Sequence, residues 1–279
     1  MANVLSAEDR TAVVSALVEG NSLRATSRMT GVARNTVSKL LWDLGFACAQ
    51  YQDKHVRNLT SRRLQADEIW SFVYAKQKNV SPIHEGKLGQ GDVWTFVAID
   101  ADTKLVAAYM IGLRNGETAT AFLNDLANRL ATRVQLTTDG HAMYLPAVET
   151  AFGPGEVDYA QIVKMYGADP DAERRYSPAI CIGAEKRPEV GEPDTDHIST
   201  SYIERQNLTM RMSVRRFTRL TNAFSKKLEM HAAAVALHFM YYNYCRIHQT
   251  LRVTPAMAAG IERKPWKVAD LVALLNPVS

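Results

Sequence analysis

At residue 64 the hydrophobic pattern of this chain changes from helical to alternating, and a fixed order of periods then runs to residue 140. LQADEIWSFVYAK (64–76) is dense in β-branched and aromatic residues, as strands are. A polar loop follows around Ser81 to Gly91. DVWTFVAID and KLVAAYMIG then flank Ala101-Asp102-Thr103, which reads as a hairpin. GETATAFLNDLANRLA (116–131) spaces its apolar residues for a helix, and VQLTTDG (134–140) is a short buried strand ending in Asp-Gly. Strand, strand, strand, helix, strand, helix specifies an α/β fold: a mixed sheet with flanking helices.

Residues 7–45 have a different period and read as three short helices. The first places Val13, Val14, Leu17 and Val18 on one side and stops at Gly20. Ser22 is a candidate N-cap for the second, which stops at Gly31. In the third, Val37, Leu40, Leu41 and Leu44 face inward, while Arg34, Asn35, Thr36, Ser38 and Lys39 cluster near the start. Two helices joined by a short turn, the second starting with polar and basic residues, match the helix-turn-helix pattern, whose second helix reads base edges in DNA; a generic three-helix bundle is the alternative. An N-terminal all-α domain is therefore expected over 1–50, with a linker over 51–63.

The net charge of +4 is unevenly spread. Residues 1–63 carry nine bases and five acids, and residues 205–227 carry seven bases and no acid. Two separated basic segments suit a polyanion touched at two places. Residues 145–198 hold six of the ten prolines, and from 149 to 196 acids outnumber bases by eleven to five. They read as an insertion with limited structure of its own. Three isolated cysteines give neither a zinc site nor a disulfide framework. The amino-terminal residues have no signal-peptide pattern and no apolar run reaches membrane length, so the expected location is cytoplasmic and nucleoid-associated.

Three carboxylates are candidates for chemistry. Asp67 is on the first strand, Asp139 at the tip of the fourth, and Glu204 near the start of the following helix. Asp67 is preferred to its neighbour Glu68, because successive strand residues face opposite sides of a sheet. Three acids brought together repel unless a cation neutralises them, and oxygen ligands suit Mg²⁺ or Mn²⁺. Two such ions would serve an in-line displacement at phosphorus. Asp139-Gly140 also reads as a plain turn, and Ser201-x-x-Glu204 also reads as a capping box. Beyond Glu204, helical spacing puts Asn207, Arg211 and Arg215 on its face, with Ile203, Met210, Val214 and Phe217 on a separate apolar stripe.

ADEIW, TTDGHAMY and YIERQNLTMRMSVRRFTRLTNAFSKKLEMH resemble the DDE transposases of bacterial insertion sequences, most closely the IS-one group. YYNYCRIHQTLRVTPAMAAG is similar to the C-terminal element of many such enzymes. The resemblance covers about residues 64–260. It implies an RNase H-like catalytic domain, with Asp67, Asp139 and Glu204 as the metal-binding triad and Arg211 as the basic residue that follows it. It departs from compact group members in the long segment between Asp139 and Glu204, and the amino terminus lacks the zinc-binding cysteines of some relatives. The expected organisation is the helix-turn-helix domain (1–50), the linker (51–63), an RNase H-like domain (64–220) with its insertion at about 145–198, and a C-terminal helical region (221–279). The expected function is cleavage and transfer of double-stranded DNA at element ends by a homo-oligomer. An RNase H-fold nuclease or integrase and a non-catalytic DNA-binding regulator are the alternatives.

Overall fold

The computed structural model describes residues 5–167, 180–218 and 223–275. Three helices open the chain: α1 (Ala7–Val18), α2 (Leu23–Thr30) and α3 (Arg34–His55). Ser6 caps α1 by accepting the Asp9 N–H at 3.0 Å, and Ser22 caps α2 by accepting the Ala25 N–H at 3.1 Å. Gly31 ends α2 with φ +73°, the left-handed conformation that glycine adopts without a steric penalty.

Strands β1 (Arg63–Val73), β2 (Gly91–Asp100) and β3 (Val106–Gly112) follow, then α4 (Gly116–Ala127), β4 (Val134–Asp139) and α5 (Tyr144–Ala151). Next come β5 (Val157–Gly167), β6 (Ile180–Val190) and α6 (Ser201–Ser213). Helices α7 (Leu228–Tyr244), α8 (Pro255–Ala258) and α9 (Val268–Ala273) complete the described chain. The six strands form one sheet in the order β3-β2-β1-β4-β5-β6. Strand β2 is antiparallel to both its neighbours, whereas β4 runs parallel to β1 and to β5. This is an RNase H-like mixed sheet, with β6 as an antiparallel edge.

Three expectations are corrected. The segment 145–198 is not a weakly structured insertion: its described part supplies α5 and two long strands of the central sheet. Its prolines misled the reading, because Pro188 lies on β6, and an edge strand tolerates a residue that cannot donate to a ladder. The boundary expected at residue 50 is also absent. Helix α3 continues to His55, and its middle packs on α7 so closely that a Cβ on Gly45 would lie 2.5 Å from the Ala233 Cα. Val13, Val14, Leu40 and Leu44 therefore share one core with Leu64, Phe96, Leu123 and Leu237. Residues 51–63 do not form a free linker either, since Leu59 bridges to Leu130.

A second core covers the opposite face of the sheet. Ile69 and Val97 pack there against Ile203, Met210, Val214 and Phe217. The apolar stripe expected after Glu204 is thus what docks α6 on β1 and β2. Asn243 fastens α7 to the edge strand β3, accepting the Val106 N–H and donating to the Val106 carbonyl, each at 3.0 Å.

Candidate active site

The parallel ladder between β1 and β4 ends at the pair Gln65–Thr137. Strand β1 continues to Val73, while β4 stops at Asp139, so the two separate and leave a notch at the carboxyl end of β4. Such crevices are where ligands enter open α/β sheets. Asp67 and Asp139 flank this notch. Past Asp139 the chain turns sharply against β5, and a Cβ on Gly140 would lie 2.6 Å from Val163 Cγ2. The His141 N–H donates to Asp139 Oδ1 at 3.1 Å and orients that carboxylate.

Helix α6 is positioned from β1 itself. Gln65 Oε1 accepts the N–H groups of Tyr202 and Ile203, at 2.8 and 3.1 Å, and so satisfies two of the unpaired donors at the helix start. The side chain doing this lies two residues before Asp67, so one short stretch of β1 sets both the acid and the helix facing it. Thr200 is the N-cap, one position earlier than a capping box at Ser201 would require, and no side chain caps it. Glu204 is therefore not part of a capping box. Its carboxylate instead accepts from Thr200 Oγ1 at 2.5 Å and forms an ion pair with Lys164 of β5.

Asp67, Asp139, Glu204, Asn207 and Arg211 line one open cleft of about 620 Å³, together with Glu68, His141 and Lys164. Asn207, 5% exposed, donates from Nδ2 to Asp67 Oδ2 at 2.8 Å, and the Glu68 N–H donates to Asp67 Oδ1 at 2.8 Å. The Asn207 Oδ1 is buried with no hydrogen-bond partner. Burial raises the Asp67 carboxyl to about 7, with further upward pressure from the charges of Glu68 and Asp139 and a smaller one from Glu204.

Glu68 was passed over in the sequence. Its side chain is fully buried, accepts Arg114 Nε at 2.6 Å and the Tyr144 hydroxyl at 2.7 Å, and reaches the notch from the opposite face of β1. The alternation rule holds for the strand but not at its unpaired border, where two faces meet one opening. One ligand oxygen each of Asp67, Glu68 and Asp139 lies within 4.8 Å of the others. Glu204 stands on the cleft wall outside that tightest group. Three carboxylates, one of them (Asp67) raised to about 7 by burial and by its acidic neighbours, and an orphaned amide oxygen form a hard-oxygen donor set that fits a divalent cation.

The other candidates lie elsewhere. Helix α6 ends at Ser213, and Arg215 falls in a following turn of 3-10 helix, so it leaves the Glu204 face. It joins Arg34, Asn35 and Ser38 on the wall of a second groove. Thr36 is exposed, and Lys39 is paired with Asp43 at 2.6 Å. Lys164, Gln65, Arg114 and Tyr144 carried no separate signal in the sequence.

No protein-family model and no curated protein matches this chain. Solved structures do match. They include the Mos1 strand transfer complex, at 15% identity and TM-score 0.22, over 53% of this chain and 56% of that one. The Mos1 mariner paired end complex with Mn matches at 13% and TM-score 0.22, over 56% and 59%. The piggyBac transposase synaptic complex with hairpin DNA matches at 12% and TM-score 0.42, over 98% and 72%. This chain spans little more than half the length of the Mos1 chains. At these identities and scores the likeness carries no argument about function, which rests on the cleft.

Among the described residues no helix is long and apolar enough to cross a membrane.

Proposed function

We propose that this chain is a DDE-type DNA transposase of an insertion sequence, cutting double-stranded DNA at the element's ends and joining the freed ends to target DNA. The observation that carries this reading is the meeting of Asp67 and Asp139 at the β1–β4 notch, with Glu204 and Arg211 on the wall of the same cleft. Asp67, Asp139 and Glu204 would hold the metal, Mg²⁺ or Mn²⁺ and two ions when DNA is bound. When bound, the metal supplies a nucleophilic water and stabilises charge at phosphorus.

The chain's own residues do the rest. Asn207 and the Glu68 N–H fix the orientation of Asp67, so its oxygens face the notch. Lys164 and Arg211 bring positive charge to the rim, where a phosphodiester backbone would lie. In the first reaction a water oxygen attacks phosphorus and the P–O3′ bond at the element end breaks. In the second, the freed 3′ oxygen attacks a target phosphorus, one P–O bond forms and one breaks, and no external energy source is needed. Arg34, Asn35, Thr36, Ser38 and Lys39 would read the element ends, with Arg211 and Arg215 on the DNA backbone, whereas Asn207, buried against Asp67, would act on the acid and not on DNA. The work would be done on nucleoid DNA in the cytoplasm, by a homo-oligomer holding two ends.

The test is incubation with Mn²⁺ and duplex DNA carrying the sequences that flank the gene, followed by mapping of nicked and joined products. Cleavage plus joining, lost in Asp67→Ala and Asp139→Ala but with DNA binding retained, is the expected result. Cleavage without joining would make the chain a nuclease, metal-independent cleavage would overturn the metal-site reading, and absent cleavage with DNA binding retained would make it a DNA-binding regulator.

A further inference from the structure

The two basic segments far apart in the sequence meet in space. A groove of about 1000 Å³ runs between the N-terminal helices and the chain that follows α6. Its polar wall carries Arg24, Arg34, Arg215, Arg216, Lys226 and Lys227, and no carboxylate lines it among the described residues. Its width is fixed at one end, where Gly20 (φ +81°) sits so close to α6 that a Cβ there would lie 3.1 Å from the Ser213 carbonyl oxygen. Helix α3 enters with its first turn uncapped by any side chain, so its N-terminal dipole adds to the positive potential.

Arg216 is the decisive residue. It is part-buried, its guanidinium donates to Ser225 Oγ at 3.2 Å, and no carboxylate pairs with it among the described residues. Burying an unpaired charge is unfavourable unless something compensates it. Here burial alone lowers the Arg216 guanidinium to about 10. A fold that keeps such a group without a counter-charge leaves a place for an anion from outside. Arg215 beside it, and Lys226 and Lys227 just after Ser225, are exposed and extend that place into a track.

We propose that this groove is a second DNA site, in which Arg216 receives a backbone phosphate of the strand leaving the metal cleft. Helix α6 joins the two: Glu204, Asn207 and Arg211 line the cleft, and Ser213 to Arg216 line the groove. From Glu204 to Ser213 the helix rises about 14 Å, or roughly two to four phosphate spacings along a strand. The inference rests on the DNA reading above only for the identity of the polyanion. It turns the basic residues of α3 from an isolated reading head into one wall of a groove whose other wall belongs to the catalytic unit.

The experiment is fluorescence anisotropy of a labelled 30-base-pair duplex with the full chain in EDTA, over a salt series, alongside thermal melting with and without that duplex. Arg216→Met keeps the volume and removes the charge. It should melt no lower than wild type when free, bind the duplex at least tenfold more weakly, and lose most of the DNA-induced rise in melting temperature. Arg215→Ala and Lys227→Ala, both at exposed positions, should each reduce the slope of log affinity against log salt by about one. An Arg216→Met protein that melts well below wild type assigns that residue to the core and overturns the proposal. Unchanged affinity and slope in Arg216→Met, or in both surface variants, would overturn it as well. Wild-type binding without metal-dependent cleavage would sink the catalytic reading and leave the groove standing.

Discussion

Asp67→Asn should make the metal-free protein more stable while abolishing cleavage. Asp67 is buried beside Glu68 and Asp139, and its carboxyl is raised from 3.8 to about 7. A carboxyl raised in the folded state binds more protons folded than unfolded between those two values. Its contribution to stability is therefore undiminished below pH 4, falls as pH rises, and reaches its full penalty above pH 7. About 3 units at about 1.4 kcal/mol each set an upper bound of about 4 kcal/mol at pH 8. The new amide can keep the Glu68 N–H, and the Asn207 amide can turn to accept from it. Allowing about 1 kcal/mol for the weaker hydrogen bonds leaves a gain of about 3 kcal/mol. In a chain of this size that is roughly 6–10 °C in melting temperature. The assay is chemical denaturation of both proteins, in EDTA, at pH 4, 6 and 8. The variant should be about 1 kcal/mol less stable than wild type at pH 4, gain about 1.4 kcal/mol per unit as pH rises, and reach its full advantage of about 3 kcal/mol above pH 7. A variant less stable than wild type at pH 8, or a difference that does not change with pH, would refute the idea that the notch holds repelling acids awaiting a cation.

The same proton competes with the metal. Mn²⁺ affinity, measured by calorimetry, should fall about tenfold per unit below pH 7 and level off above it; equal affinity at pH 6 and 8 would remove Asp67 from the ligand set. Glu68→Ala should cost about 3 kcal/mol in denaturant unfolding, because it leaves the Arg114 charge and the Tyr144 hydroxyl unpaired; the figure is at the low end because Arg114 is 36% exposed. A near-neutral effect would show that the pair is solvated and that Glu68 is free to act as a ligand. Gly45→Ala should destabilise by about 1–3 kcal/mol, since its Cβ meets the Ala233 backbone and α3 must move off α7. A wild-type denaturation midpoint would mean that the N-terminal helices are not held to the sheet domain in this way.

The parts of the fold written in local periodicity were legible. The strands around Asp67 and Asp139 and the helix carrying Glu204 follow from alternation and helical spacing. Strands β5 and β6 did not, because the prolines and the acidic excess of 149–196 resemble loop composition, although VDYAQIVKMY alternates as a strand should. Domain separation was misread for a different reason: Gly45 carries no signal in the sequence for a close approach made nearly two hundred residues away. At the site, the two aspartates could be named because a strand and a neighbouring strand tip can be expected to meet. Glu68, Arg114 and Tyr144 could not, since their network depends on where the β1–β4 ladder stops. Arg215 was placed on the Glu204 face by extending an ideal helix past Ser213, where the backbone at Val214 turns extended.

The most direct measurement is anomalous diffraction from crystals soaked in Mn²⁺ with a short DNA duplex. A manganese peak between Asp67 and Asp139, coordinated by their carboxylate oxygens and with Glu204 turned from Lys164 toward it, is the expected result. A protein that cleaves DNA in the same soak with no manganese at the β1–β4 notch would contradict the account.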